Sequence, residues 1–254
     1  MHIIQLLAKK QDDDETPKEK RNVTTTQPPR SRSGKFKVYG SHMISNLPPK
    51  LDLVTYLESA KEVKSYKVKI AAFDMDDTII CSKSGFKWGR GPNDWKWRTD
   101  TIIPVLQRKT ASERYVVVIF TNQKSISVTE YLTTLSKSFR NFAIKVGQIL
   151  ASLNVALKGV PVLVFAASGR PGISQHHRSS EEYHEHSRKP RTGMWEELES
   201  YLKAALGKEC TIDMEKSFYV GDAAGRHGDH LADDITFAQR VGLPFQTPEE
   251  FFGK

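Results

Sequence analysis

Residues 68–78 read VKIAAFDMDDT, an apolar run that ends in three carboxylates, Asp74, Asp76 and Asp77, within four positions. The apolar residues of 68–73 predict a short buried strand. Carboxylates at such spacing repel one another, and a turn that only had to be soluble would not require them. The stretch therefore raises two linked questions: which sheet contains this strand, and what tolerates the acids at its end.

Similar strand-like runs recur downstream: YVVVIF at 115–120, VPVLVFAAS at 160–168, SFYVGD at 217–222 and a short LPF at 243–245. Between them, residues 101–113, 128–154, 193–206 and 234–242 carry apolar residues at helical spacing. Strands alternating with helices predict an α/β fold, a doubly wound parallel sheet with helices on both faces. In such a sheet, ligands bind beyond the carboxyl ends of the strands. The residues just past each strand are then informative. After the first comes DMDDT, after the second TNQ at 121–123, after the third a long polar loop closing on RKP at 188–190, and after the fourth GDAAGR at 221–226. The fold would gather carboxylates, a hydroxyl and a lysine at one edge.

Those residue types suit phosphoryl transfer. Several close acids call for a cation, and an all-oxygen ligand set suits Mg²⁺. One carboxylate could then attack phosphorus and form an aspartyl-phosphate. A second, two positions on, could protonate the leaving alkoxide and later activate water. The hydroxyl and the lysine could hold the non-bridging oxygens as charge shifts.

Composition narrows the setting. The 254 residues suffice for one large α/β domain plus an appendage, and carry a net charge of +8. A basic balance of that size points to a polyanion, nucleic acid first. Residues 1–40 hold nine Lys/Arg and five Asp/Glu, so half of the excess lies elsewhere in the chain. Two cysteines make no disulfide framework and indicate a reducing compartment. No apolar run reaches the roughly 18–20 residues needed to cross a bilayer. The N-terminal segment resembles neither a secretory signal nor a transit peptide, which predicts a nuclear protein, with cytosol or mitochondrion as alternatives. Residues 1–45, poor in apolar side chains, are expected to be a flexible basic tail, and 46–254 the folded domain.

The order of these motifs resembles the haloacid dehalogenase superfamily, whose signature is Asp-x-Asp-x-Thr, then Ser/Thr, then Lys, then Gly-Asp. Here they are residues 74–78, Thr121, Lys189 and 221–222. Longer stretches, FDMDDTIICSKSG, GPNDW, VVVIFTNQ, RKPRTGMW, YVGDAAGR, FAQRVGLPF and TPEEFF, resemble the phosphatase domain of the polynucleotide kinase 3′-phosphatase family over residues 66–252. That resemblance implies a Rossmannoid fold with a small cap or flap after the first strand. It implies Asp74 as nucleophile, Asp76 as general acid/base, and Thr121 and Lys189 as the phosphate-stabilising pair. It places Mg²⁺ with Asp74, Asp76 (through its carbonyl), Asp222 and Asp234, and it implies the 3′-phosphate ends of DNA, single-stranded or at nicks and breaks, as substrate in DNA repair. Repair proteins are then the natural partners, and no membrane is expected. Two alternatives are a superfamily phosphatase acting on a small phosphomonoester and a repair adaptor that binds nucleic acid without turnover.

Substrate contacts are expected from Thr78, Asn122, Gln123, Lys87, Arg90 and Arg226. Residues 81–98 alone carry Lys83, Lys87, Arg90, Lys96 and Arg98 against one acid, Asp94, with Phe86, Trp88, Trp95 and Trp97 interleaved. Basic groups can follow a phosphate backbone and aromatic faces can stack on bases. Trp95, in the DW pair, reads as structural. The chain departs from the family pattern at Asp77, where Gly is usual, and Asp77 is expected to stay out of the chemistry. It departs again in the loop 168–190, which is long and rich in histidine. His176, His177, His184 and His186 match no structural zinc spacing, so a flexible loop is expected. A 5′-kinase would need a G-x-x-x-x-G-K-[ST] loop. None occurs in the sequence, so no kinase activity is expected of these residues.

Overall fold

The computed structural model describes residues 35–58, 67–87, 89–129, 136–172, 178–227, 229 and 231–253. Along the chain these form β1 (Lys35–Tyr39), β2 (Met43–Leu47), α1 (Lys50–Glu58), β3 (Lys67–Val68), β4 (Ile70–Phe73), β5 (Ile80–Cys81), β6 (Lys96–Trp97), α2 (Ile102–Glu113) and β7 (Val116–Gln123). Then come α3 (Lys137–Leu157), β8 (Val162–Ser168), α4 (Glu181–Ser187), α5 (Gly193–Leu206), β9 (Thr211–Ile212), β10 (Phe218–Val220), α6 (Asp233–Val241), β11 (Phe245–Gln246) and α7 (Pro248–Phe252).

The main sheet has the order β1-β2-β8-β7-β4-β10-β11. β8, β7, β4, β10 and β11 run parallel, while β2 lies antiparallel to β8, and β1 antiparallel to β2. The chain leaves β4 for β7 and β8 on one side, then returns to β10 and β11 on the other. The carboxyl end of β4 is therefore the switch point of the sheet, where the strand order reverses and a crevice opens.

Alternation along each strand divides the core in two. Ala71, Phe73, Val117, Ile119, Val162 and Val164 face one layer, which holds Ile102 and Leu106 of α2, Phe139, Phe142 and Ile149 of α3, and Phe252 of α7. Ile70, Ala72, Val116, Val118, Phe120, Leu163, Phe165 and Tyr219 face the other, with Leu53 of α1, Met194 and Leu198 of α5, and Phe237 of α6. Strands buried on both faces read as continuous apolar runs, as the sequence of β7 and β8 does.

Three expectations need correction. The tail boundary at residue 45 falls inside β2. Phe36 and Val38 pack on the core while Lys35 and Lys37 of the edge strand remain at the surface; residues 1–34 lie outside the described residues. The helix expected from residue 128 begins at Lys137, where the Ser136 side chain accepts a bond from the Phe139 N–H at 3.1 Å and caps the first turn. The loop 168–190 contains α4, capped by Ser180. His184 there is buried, with Nε2 2.9 Å from Ser41 Oγ, and His186 Nε2 lies 2.8 Å from Glu196 Oε2. His176 and His177 lie outside the described residues.

The flap after the first strand is a short ribbon in which Ile80 pairs with Trp97 and Cys81 with Lys96. Asp94 organises its loop, accepting from the Arg90 N–H at 2.8 Å and from the Ser84 hydroxyl and N–H at 2.7 and 2.9 Å. These donors, the Arg90 N–H foremost, draw its carboxyl down to about 2. Trp95 is structural: its Nε1 donates to Gln148 Oε1 of α3 at 2.8 Å, and its ring meets Trp97 edge-on at 5.4 Å.

Candidate active site

Asp74 is the first residue beyond β4, and its N–H continues the parallel ladder by donating to Val220 O at 2.9 Å. Its carboxylate is nearly buried. The ammonium of Lys189, only 2% exposed, donates to Asp74 Oδ1 at 2.6 Å, to Asp234 Oδ1 at 2.6 Å and to the Tyr219 hydroxyl at 2.9 Å. The Tyr219 hydroxyl donates in turn to Asp234 Oδ1 at 2.8 Å. Each partner comes from a different element: the end of β4, the loop after α4, β10 and α6.

Electrostatics derive from that packing. Burial raises the Asp74 pKa, the nearby Asp234 and Asp222 press the same way, and Lys189 opposes them. Burial by itself lowers the Lys189 pKa, but Asp234 and Asp74 outweigh it and hold the ammonium. Asp222 is pushed up to about 6, by burial first and Asp234 second. Oxygens of Asp74, Asp222 and Asp234 lie within 4.8 Å of one another, the one such group among the described residues. A compact set of hard anionic oxygens, two of them with raised pKa, is what a divalent cation would relieve, so the residues fit a metal. Asp222 is the most accessible of the three. Both oxygens of Asp234 are engaged, Oδ1 by Lys189 and Tyr219 and Oδ2 by the Ala223 N–H at 3.0 Å, so it anchors Lys189. Gly221 is required beside it, because a Cβ there would come within 2.5 Å of the Asp234 side chain.

The other face of the sheet holds the second carboxylate. Thr121 and Gln123 share one side of β7, and Gln123 Nε2 donates to Thr121 Oγ1 at 2.8 Å and to Asp76 Oδ2 at 2.6 Å. Lys145 of α3 donates to Asp76 Oδ1 at 2.7 Å. The Asp76 side chain is 44% exposed and stands apart from the buried carboxylates, which leaves its backbone carbonyl for the ligand role the resemblance implies. Asn122 points to the opposite side of β7 from Thr121. Its amide bonds both backbone groups of Lys189 at 3.0 Å, so it fixes the lysine loop. Thr78, fully buried, accepts from the Asp222 N–H at 3.1 Å and donates to Asp222 Oδ1 at 3.2 Å. Both were expected to touch substrate; in the structure their polar atoms bond Asp222 and the Lys189 backbone. Asp77 has φ of 57°. That left-handed turn explains why Gly is usual there and why Asp, which tolerates the region, can replace it.

Among the cations expected at the substrate, Arg90 lies 3.5 Å over the Phe86 ring on the flap. Lys87 is exposed beside it, and Trp88 lies outside the described residues. Arg226 pairs with Asp229 at 3.0 Å and Glu249 at 3.2 Å. Reading the sequence alone missed Tyr219 and Lys145. For Lys145 a signal existed: it stands three residues after Phe142 and four before Ile149, on the apolar stripe of α3, where a charge needs a reason.

A parallel sheet with a carboxylate at its switch point, a second two residues on, and a hydroxyl, a lysine and an acid at the neighbouring strand ends define the haloacid dehalogenase class. Residues 69–252 match the family described as Polynucleotide kinase 3 phosphatase, and the chain belongs to that family. It is 34% identical over 197 residues to the bifunctional polynucleotide phosphatase/kinase of Schizosaccharomyces pombe, covering 78% of this chain and 40% of that protein. It is 37% identical over 213 residues to polynucleotide 3′-phosphatase ZDP of Arabidopsis thaliana, covering 82% of this chain and 28% of that one. The polynucleotide 3′-phosphatase of Saccharomyces cerevisiae is 26% identical over 238 residues, 84% of this chain and 99% of its own length. The chain thus spans well under half of the first two relatives.

Proposed function

We propose that the chain is a Mg²⁺-dependent polynucleotide 3′-phosphatase that clears 3′-phosphate ends of DNA, at single-stranded ends or breaks, during repair in the nucleus. The chemistry rests on one observation: Asp74 stands at the switch point with the Lys189 ammonium at 2.6 Å on one side and the half-exposed Asp76 two residues on. The substrate class rests on family membership and on the basic flap.

In this reading Asp74 attacks phosphorus and the bond to the 3′-oxygen breaks. Asp76 supplies the proton that the 3′-oxygen needs as it leaves. Water then attacks the aspartyl-phosphate, Asp76 takes the water's proton, and inorganic phosphate departs with Asp74 restored. Lys189 and Thr121 hold the non-bridging oxygens, while Asn122 and Tyr219 keep the lysine in place. Asp74, Asp222 and the Asp76 carbonyl, with Asp234 behind them, would hold the Mg²⁺, which when bound neutralises charge on the phosphate and between the carboxylates.

Phosphate release is measured with a 3′-phosphorylated oligonucleotide beside a sugar phosphate and a 5′-phosphorylated strand. The expected result is Mg²⁺-dependent release from the 3′-end alone, abolished by EDTA. No release from that end, or equal release from the sugar, defeats the reading.

Asp222 supplies a second measurement. Its pKa is raised on folding from near 4 to about 6, so the folded chain binds protons more tightly over that range and loses stability as pH rises through it. In EDTA the melting temperature should therefore decline from this group between about pH 4 and 6, and Mg²⁺ should raise it more at pH 7 than at pH 4.5. An equal Mg²⁺ shift at both would place the ion elsewhere.

A further inference from the structure

The α3 side of the site carries a cation with no part in those catalytic steps. Lys145 is 18% exposed, and its Nζ lies 2.7 Å from Asp76 Oδ1. Phe142, Val146 and Ile149 beside it on α3 are buried, so a charge at this position stands at the margin of the core, where a long side chain can carry its head to a polar partner. In the proposed reaction Asp76 protonates the leaving 3′-oxygen, so a cation bound to Asp76 serves the leaving-group side of the site, whereas Lys189 is bound to the nucleophile Asp74. Along a polynucleotide the next anion on the leaving-group side is the penultimate phosphodiester, which a mononucleotide lacks. Neighbouring guanidiniums are committed elsewhere: Arg98 binds Glu249, and Arg226 binds Asp229 and Glu249. An ammonium has three N–H donors, and Asp76 takes one of Lys145's.

We propose that Lys145 is the residue by which the site reads the chain: it orients Asp76 and, with a strand bound, contacts the penultimate phosphodiester, selecting 3′-phosphorylated polynucleotides over 3′-mononucleotides. The proposal rests on the 3′-phosphatase reading. It assigns the leaving-group side of the active site a specificity contact from a helix rather than from the flap.

The test compares kcat and KM of the full chain, Lys145→Met and Lys145→Arg on a 3′-phosphorylated oligonucleotide and on thymidine 3′-monophosphate, at low and moderate salt. In Lys145→Met the ratio of kcat/KM between oligonucleotide and mononucleotide should fall about tenfold, mainly through KM. Lys145→Arg, which keeps the charge, should restore most of that ratio. The plot of log(kcat/KM) for the oligonucleotide against log salt should flatten by about 0.7 in Lys145→Met, the share of one single-strand phosphate contact. Equal losses on the two substrates with an unchanged salt slope overturn the proposal and leave Lys145 a support for Asp76 only. Should Lys145→Met fail to fold by circular dichroism, Lys145→Gln, which keeps a hydrogen-bond donor and drops the charge, enters the same comparison. A wild-type chain inactive on the oligonucleotide defeats the underlying reading; an active wild type with equal losses defeats this inference alone.

Discussion

Asp74→Asn should lower phosphate release from a 3′-phosphorylated oligonucleotide by at least about 10⁴-fold. The amide matches the carboxylate in shape but has no anionic oxygen to form the bond to phosphorus. The surrounding structure should survive, because Lys189 retains Asp234 and the Tyr219 hydroxyl as partners at 2.6 and 2.9 Å. The melting temperature should consequently change little, which separates loss of chemistry from loss of fold. Acid-quenched wild-type protein incubated with substrate labelled in the terminal phosphate should carry covalent label, and the variant none. Residual turnover within about a hundredfold of wild type would assign the nucleophile to another group.

The second large effect is on stability. Lys189→Met should destabilise the metal-free chain by about 3–5 kcal/mol, since it leaves Asp74 and Asp234 buried without their ammonium. Activity should fall by about 10²–10³-fold through loss of a preorganised donor to the phosphate oxygens. The direction of the pH effect is fixed by the physics. Burial already raises the Asp74 pKa and Lys189 alone opposes it strongly. Without Lys189 the folded-state pKa of Asp74 rises further above the unfolded value, so the penalty is largest at high pH and is relieved as pH falls and Asp74 protonates. Urea unfolding at pH 5 and pH 8 checks this: the gap between wild type and variant should be wider at pH 8, and Mg²⁺ should narrow it there. Lys189→Arg should not restore activity, because a planar guanidinium cannot occupy the point shared by three oxygens at a position 2% exposed. A gap independent of pH would mean that the lysine contributes packing rather than charge.

Much of the fold was legible because β4, β7 and β8 are buried on both faces and therefore run apolar, and because α5 and α6 show helical spacing. Runs of this kind are dictated locally by burial. β1 and β2 were not legible. KFKVY and MISNL are short and partly polar, and they form strands because MISNL adds to the edge that β8 offers and KFKVY adds to MISNL, a nonlocal cause. The start of α3 was misplaced since apolar spacing alone does not locate a cap, whereas Ser136 does. The His-rich loop looked unstructured because the bonds of His184 and His186 go to Ser41 and Glu196, outside the segment.

At the site, the sequence by itself determined the inventory: four strand ends, the acids, the hydroxyl and the lysine they carry, and the order in which they occur. It also set Asp77 apart from its neighbours, since the family it resembles usually has Gly there, and the structure supplies the backbone reason, a turn position with positive φ. Only the tertiary structure decided how that inventory divides. Tyr219, Asp234 and Asn122 close around Lys189 on one face of the sheet, and Gln123 and Lys145 hold Asp76 on the other. That division arises because successive residues of a strand point to opposite faces and because helices far apart in the chain supply the partners. Neither the partner of a charge nor the side from which it comes is encoded within a motif, so the bonds of Thr78 to Asp222 and of Asn122 to the Lys189 backbone are visible only in the fold.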